Sequence, residues 1–266
     1  MTDPTGLAQR HLAAIATARQ AGDLMRRLYL DRDGIGMSFK GPQDYLTLAD
    51  AAVEKLVRGL LHDAFPTDTF FGEEGGGTFG PSCWVVDPID GTANFARGVP
   101  QFCVSIAYMR EGAAAIGAIY NPMTDELHEG RRGGGARLNG NPIRASKTAA
   151  LAHAAVELGW SSRRGAADYV AMVRRVLDAG ASFRRAGSGA LGVAHVADGR
   201  SDGYAELHIN SWDCLAGIVI AEEAGARVND FLAGDGLRQG NPLLVAAPGI
   251  HEALIAATGI GAKVMA

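Results

Sequence analysis

Apolar residues recur at helical spacing near the start of the chain, at Leu7, Leu12, Ile15, Leu24, Met25 and Leu28. They predict an amphipathic helix over residues 7–30. Val53, Leu56, Val57, Leu60 and Leu61 repeat that period over residues 48–65. The pattern then shortens. Trp84-Val85-Val86 predicts a buried strand, ended by Pro88, which has no N–H to give the ladder. Residues 103–109 and 115–120 read as strands joined by a hairpin at Glu111-Gly112, and Asn139-Gly140 marks another turn. Arg131-Arg132-Gly133-Gly134-Gly135 reads as a hairpin loop. From about Ala150 the order alternates: strand 154–158, helix 168–179 closed by Gly180, strand 183–185, a small helix at 191–196, strand 203–207, and a helix at 215–224 with Gly225 beyond its end. The first half therefore reads as two helices over an antiparallel sheet, and the second as α/β. No internal repeat and no disordered tail is expected.

Three of these apolar elements run into acids. Phe70-Phe71-Gly72 leads to Glu73-Glu74, the strand at Trp84 leads to Asp87-Pro88-Ile89-Asp90-Gly91-Thr92, and Ser211-Trp212-Asp213 opens a helical stretch. Taken singly, each has a plain explanation: a solvated loop, a turn built from Asp, Pro and Gly, and an N-cap. One metal site explains all three together. Carboxylates this close repel unless a cation or proton lies between them. Hard oxygen ligands point to Mg²⁺, which keeps waters and takes substrate phosphate as a further ligand. Gly91 and Thr92 would offer backbone N–H groups to an anion at a helix start. The pattern proposes phosphoester chemistry.

In their order and approximate spacing, Glu73-Glu74, Asp87-Pro88-Ile89-Asp90-Gly91-Thr92 and Trp212-Asp213-x-x-Ala216-Gly217 resemble the three signatures of the inositol monophosphatase family, Mg²⁺-dependent and lithium-sensitive phosphatases. Flanking elements extend the similarity over nearly the whole chain. Lys40-x-x-x-Asp44-x-x-Thr47-x-x-Asp50 is similar to the family's early segment, which places a lysine and an aspartate near the metals. Gly187-Ser188-Gly189 is similar to a small-residue loop beside the substrate, and Glu206 matches a position that touches substrate hydroxyls. Without the family, Lys40 reads as an exposed lysine, Asp50 as an acid in a first helical turn, and Glu206 as a strand-end carboxylate. The resemblance implies an α+β or α/β chain folded as a layered α-β-α-β-α sandwich of the sugar-phosphatase type. Residues 1–150 would form an α+β half carrying most metal ligands, and 151–266 an α/β half supplying Asp213 and substrate contacts. It also implies a homodimer.

On this reading one Mg²⁺ lies between Glu73 and Asp87 with the Ile89 carbonyl, and a second among Asp87, Asp90 and Asp213. A third, weaker ion binds near Glu73 with substrate. Thr92 with Asp50, and Glu74 as a further candidate, would orient the attacking water and help take its proton. Lys40 completes the catalytic set. The Gly91 and Thr92 N–H groups would hold the phosphate, and Asp90, Asp213, Gly187, Ser188, Gly189 and Glu206 would contact the substrate. No histidine stands in any signature, which argues against a phosphohistidine route.

Composition fits a cytoplasmic enzyme. A formal charge of −4 gives no electrostatic reason to expect nucleic acid as a partner. Cys83, Cys103 and Cys214 lack a CxxC spacing and suit a reducing compartment. Met1-Thr2-Asp3-Pro4 does not open a secretory signal, and no apolar run approaches the ~20 residues of a membrane span. Inositol-1-phosphate is the expected substrate, because Glu206 suits a polyol with adjacent hydroxyls. Histidinol phosphate is the alternative, since the same carboxylate would pair with its ammonium. Fructose-1,6-bisphosphate and 3′-phosphoadenosine-5′-phosphate follow. Arg184 and Arg185 either recognise a second phosphate or end a solvated strand. Two readings of another class, a catalytically silent regulatory homologue and a carrier without chemistry, are weakened because Glu73, Asp87, Asp90 and Asp213 are all present.

Overall fold

Side chains alternate across each strand, so a strand buried on both faces must be covered twice. Strand β5 does this in the computed structural model, which describes residues 4–31, 36, 38–41 and 44–261. Helices α1 (Pro4–Leu30) and α2 (Leu48–Ala64) lie on one side. A ribbon of β1 (Ser38–Gly41) and β2 (Asp44–Leu46) separates them in sequence. Eight strands follow in one sheet: β3 (Thr69–Gly72), β4 (Gly76–Gly77), β5 (Ser82–Asp90), β6 (Cys103–Arg110), β7 (Ala113–Asn121), β8 (Glu126–Arg131), β9 (Gly135–Leu138) and β10 (Asn141–Pro142). Their spatial order is β10-β9-β8-β7-β6-β5-β3-β4, antiparallel except where β3 meets β5. Helix α3 (Thr92–Arg97) leaves the end of β5.

The second half supplies α4 (Ala166–Asp178), α5 (Gly189–Ala197), α6 (Ser211–Glu223), α7 (Gly236–Gln239) and α8 (His251–Thr258). Its strands are β11 (Ala155–Leu158), β12 (Ser182–Arg184), β13 (Gly203–Ile209), β14 (Arg227–Val228) and β15 (Asn241–Ala246), ordered β12-β11-β13-β15-β14. Three packed clusters stack these parts into five layers. Trp84 and Val86 of β5 pack with Met25 of α1 and Val57 of α2. Cys83 and Val85, on the other face, pack with Val193 of α5, Leu215 of α6, and Tyr204 and Val245 of the second sheet. Ala205 and Leu244 face outward onto Met172 of α4 and Leu254 of α8. The expected α-β-α-β-α sandwich is the fold of the chain. Among the described residues no helix is long and apolar enough to cross a membrane.

The turns follow their residues. Glu111 and Gly112 (φ 52 and 81°) join β6 to β7, and Asn139 and Gly140 (φ 49 and 78°) join β9 to β10, as paired positive φ values require in tight hairpins. Other boundaries differ. The helix expected at 215–224 begins at Ser211, and the small helix at 191–196 begins at Gly189. Strand β8 (Glu-Leu-His-Glu-Gly-Arg) has no apolar run, yet its four central residues are buried because α1 covers the face of Leu127 and Glu129 and α6 the face of Gly130. The residues after 261, where no disordered tail is expected, lie outside the described residues.

Middle-layer helix α6 sits hard against the first sheet. A Cβ on Gly117 of β7 would lie 2.1 Å from the Ala216 carbonyl oxygen. Gly117→Ala should therefore force α6 away and destabilise the protein by about 1–3 kcal/mol, the usual cost of overpacking a core. Urea unfolding measures this; an unchanged midpoint would mean that the helix is not seated on β7.

Candidate active site

The parallel register Gly72↔Val86 sets the end of β3 beside the end of β5. The Glu73 N–H donates to the Val86 carbonyl (3.1 Å), so Glu73 is carried next to Asp87. Pro88 does not end the strand at Val86, as the sequence suggested. The β5–β6 ladder breaks between Asp87↔Ser105 and Asp90↔Cys103 and then resumes. Inside the break the Asp87 carboxylate accepts the Ile89 N–H (2.9 Å), replacing the lost ladder contact. Helix α6 brings the third acid. Asn210 is its N-cap, and Asp213 is not a cap but the third helical residue, its Oδ2 accepting the Asn210 N–H at 3.1 Å. The Ser105 hydroxyl donates to the Trp212 carbonyl (3.0 Å) and fixes that helix start against β6.

Carboxylate oxygens of Glu73, Asp87 and Asp213 thus lie within 4.8 Å of one another. Withdrawal from solvent, then the neighbouring acids, drives the Asp87 and Asp213 carboxyls well above the ordinary range. Such a set of hard oxygens suits a divalent cation. Asp90 is differently engaged. Its carboxylate accepts the Ser188 hydroxyl (2.5 Å) and the Gly189 and Ala190 N–H groups (3.2 and 2.7 Å) at the start of α5. Burial raises its carboxyl, and these bonds oppose the rise.

Gly91 holds a left-handed φ of 96°, and Thr92 opens α3. A Cβ at Gly91 would meet the Gln101 carbonyl at 2.9 Å. The Thr92 hydroxyl lies 2.9 Å from the Ile89 carbonyl and 3.2 Å from Asp50 Oδ1. Asp50, third residue of α2, accepts the Thr47 N–H (2.8 Å) and hydroxyl (2.6 Å) through Oδ2. Burial nevertheless pushes it up to about 6, with the Glu74 charge adding to the rise. Lys40 lies on β1, and its side chain, like that of Asp44, is outside the described residues.

Beyond the acids opens a cavity of about 180 Å³ lined by Asp90, Glu157, Arg185, Ser188, Glu206 and Asp213, with Gly187 and Gly189 on its wall. Glu206 is not at a strand end. It sits within β13 where pairing with β15 shifts register between Glu206 and Ile209, and it accepts the Tyr204 hydroxyl. Burial pushes it up to about 7.

An inositol monophosphatase family model matches residues 7–261. The chain belongs to this family. It is a phosphoric monoester hydrolase by that membership. It is 39% identical over 220 residues to an inositol-1-monophosphatase of Rhizobium meliloti, covering 81% of this chain and 83% of that one. It is 36% identical over 248 residues to the Nus factor SuhB of Escherichia coli K12, covering 91% and 93%. An inositol monophosphatase structure from Anabaena superposes with a TM-score of 0.82 at 32% identity, covering 95% and 96%.

Three polar residues of this family member escaped the sequence reading. Glu54, one turn beyond Asp50, accepts the Glu74 and Gly75 N–H groups (2.9 and 3.0 Å) and so holds the turn that carries Glu73. Asn94 donates to the Gln101 (2.7 Å) and Ala186 (2.9 Å) carbonyls, tying α3 to the Gly187 loop. Glu157 accepts the Ala186 N–H (3.0 Å) from beneath. For Glu54 the signal was its position four residues after Asp50 on a helix, which puts both acids on one face.

These carboxyls give a pH dependence with a definite sign. A folded-state pKa raised above the unfolded value contributes stability below the unfolded value and loses it as pH rises through the folded one. Asp50 and Glu206 start from 3.8 and 4.5 and reach about 6 and 7, and Asp87 and Asp213 shift in the same direction. The metal-free protein should therefore become less stable between about pH 4 and 7, and Glu206→Gln should flatten that fall. Thermal unfolding in chelator at stepped pH checks both; a midpoint rising across the interval contradicts them.

Proposed function

We propose that this phosphatase hydrolyses a small polyol phosphate, inositol-1-phosphate first among candidates, with Mg²⁺ held by Glu73, Asp87, the Ile89 carbonyl, Asp90 and Asp213. The observation that carries the reading is the convergence of Glu73, Asp87 and Asp213, the last of which, with Asp90, also lines the cavity walled by Glu206. Bound there, two or three such ions would supply positive charge to the phosphoryl and leaving oxygens and acidify a bound water. The chain's own groups do the rest. Thr92, whose hydroxyl lies 3.2 Å from Asp50 Oδ1, would accept a hydrogen bond from the attacking water at Oγ1, and Asp50, with a pKa of about 6, would take the proton passed through it near neutral pH. Glu74 reinforces that negative field, and the family resemblance adds Lys40 to the catalytic set. The Gly91 and Thr92 N–H groups hold phosphoryl oxygens beside the Gly187-Ser188-Gly189 loop, which Asn94 keeps in place. Glu206, anchored by Tyr204, accepts substrate hydroxyls.

The family resemblance adds lithium sensitivity and a homodimer to this proposal, and the free Cys83, Cys103 and Cys214 add a cytoplasmic site of action. A regulatory role beside catalysis is the second reading, favoured by the name of the Escherichia coli relative, Nus factor SuhB. The intact set of acids weighs against a silent protein.

Purified enzyme with Mg²⁺ should release phosphate fastest from inositol-1-phosphate in a panel with histidinol phosphate, fructose-1,6-bisphosphate and 3′-phosphoadenosine-5′-phosphate, and Li⁺ should slow it. Preference for another member would transfer the substrate assignment, and Asp213→Asn with undiminished turnover would remove the metal site. The expected loss in that variant is about a thousandfold, since each metal contributes several kcal/mol of charge stabilisation. Thr92→Ala should lower kcat more than it raises KM; steady-state kinetics showing the reverse would make Thr92 a binding group only.

A further inference from the structure

Helix α2 carries a buried acid that the proposed chemistry does not use. Glu54 sits among the buried Val53, Val57 and Leu61 and is 4% exposed. A carboxylate is tolerated so far from water only where donors meet it. Three do. Oε2 accepts the Glu74 N–H (2.9 Å), and Oε1 accepts the Gly75 N–H (3.0 Å) and an Arg58 guanidinium N–H (2.9 Å). Arg58, one helical turn further on, donates also to the Gly76 carbonyl (3.1 Å), with its guanidinium 4.1 Å from the Phe70 ring centre. Glu54 and Arg58 together therefore grip three consecutive residues, Glu74, Gly75 and Gly76, from the side of the helix.

The turn is shaped around that carboxylate. A Cβ on Gly72 would lie 2.3 Å from Glu54 Oε2, and one on Gly75 would lie 2.5 Å from Oε1 and 2.9 Å from the Arg58 guanidinium. Residues without a Cβ at both positions are what let the chain close on the acid. Strand β4 is two residues long and ends the sheet, pairing with β3 at Phe71↔Gly77 and Gly72↔Gly76. A ladder that short fixes a turn weakly. Glu73 lies inside the turn, between Gly72 and the gripped Glu74, and its carboxylate is one of the three that converge. A ligand oxygen displaced by a few tenths of an ångström loses its metal bond, so a contact that holds the ligand's backbone governs affinity. We infer that Glu54, braced by Arg58, is a positioning residue for Glu73 and sets how tightly the site takes its divalent ion. It acts through the turn rather than by contact with ion or substrate. This rests on the reading of Glu73 as a metal ligand and adds to it two residues outside the acid cluster.

The probe is Mn²⁺, its binding to the chelator-treated full chain followed by loss of the free ion's electron paramagnetic resonance signal. Glu54→Gln keeps the side-chain volume but turns one acceptor oxygen into a donor amide, which leaves a turn N–H without its partner. The variant should raise the Mn²⁺ dissociation constant by about 10- to 100-fold, the usual effect of removing a group that orients a metal ligand. The Mg²⁺ concentration giving half-maximal phosphate release should rise with it, while kcat at saturating Mg²⁺ falls far less. Gly75→Ala, which pushes the turn off an intact Glu54, should shift the constant in the same direction, and it carries the test should Glu54→Gln not fold. Arg58→Met should raise the constant by less, because both N–H contacts to Glu54 stay. Unchanged Mn²⁺ affinity in folded Glu54→Gln, or in folded Gly75→Ala where the first variant is lost, overturns the inference. So does a kcat that stays low however much Mg²⁺ is supplied, which is the mark of general damage rather than of a misplaced ligand. A wild-type chain that takes up no Mn²⁺ would instead remove the metal assignment itself, so the two failures are told apart.

Discussion

Mutual repulsion among Glu73, Asp87 and Asp213 is the constraint around which the molecule is arranged. Their oxygens come within 4.8 Å of one another on three separate elements, and each would be better solvated apart. The backbone holds them there. A parallel strand pair fixes Glu73, a gap in a ladder fixes Asp87, and a capped helix start fixes Asp213. The site therefore stores unfavourable electrostatic energy that a bound divalent cation would relieve. On the proposed assignment, metal binding would be linked to folding through the same three side chains.

Both carboxylates with the most specialised placement sit where a β-ladder loses register. Asp87 lies at the break between β5 and β6, and Glu206 at the break between β13 and β15. A break frees one residue from the alternation of a regular strand and re-aims its side chain. Here the two breaks belong to different sheets and turn their acids toward the same interlayer space. The packed middle layer is what permits this. Helices α5 and α6 lie between the sheets, and α5 meets Asp90 with its first N–H groups while α6 delivers Asp213.

Around the acids stands a set of buried polar contacts whose role is position. Glu54 holds the Glu74-Gly75 turn, Asn94 joins α3 to the Gly187 loop, and Glu157 supports that loop from below. Each satisfies backbone groups that no strand or helix pairs, so the loops near the site carry fixed geometry despite lacking regular structure. Arg58 in turn ties Glu54 to the β3–β4 edge by donating to the Gly76 carbonyl.

Much of this was legible from local pattern. The periods of α1 and α2, the hairpins at Glu111-Gly112 and Asn139-Gly140, and the acids at Glu73, Asp87, Asp90 and Asp213 follow from residue type and spacing, because caps, turns and strand ends are decided within a few residues. The sequence could not carry the strand of Glu206 on to Ile209, extend β5 past Pro88, bury the polar strand β8, or assign Glu54, Asn94 and Glu157. Those outcomes depend on partners far along the chain: β15 for Glu206, β6 for the resumed ladder, α1 and α6 for β8. Local propensity fixes which residues can make a turn or meet a metal; only packing between distant layers decides which of them share one pocket, since hydrogen-bond partners and burial are properties of the assembled core.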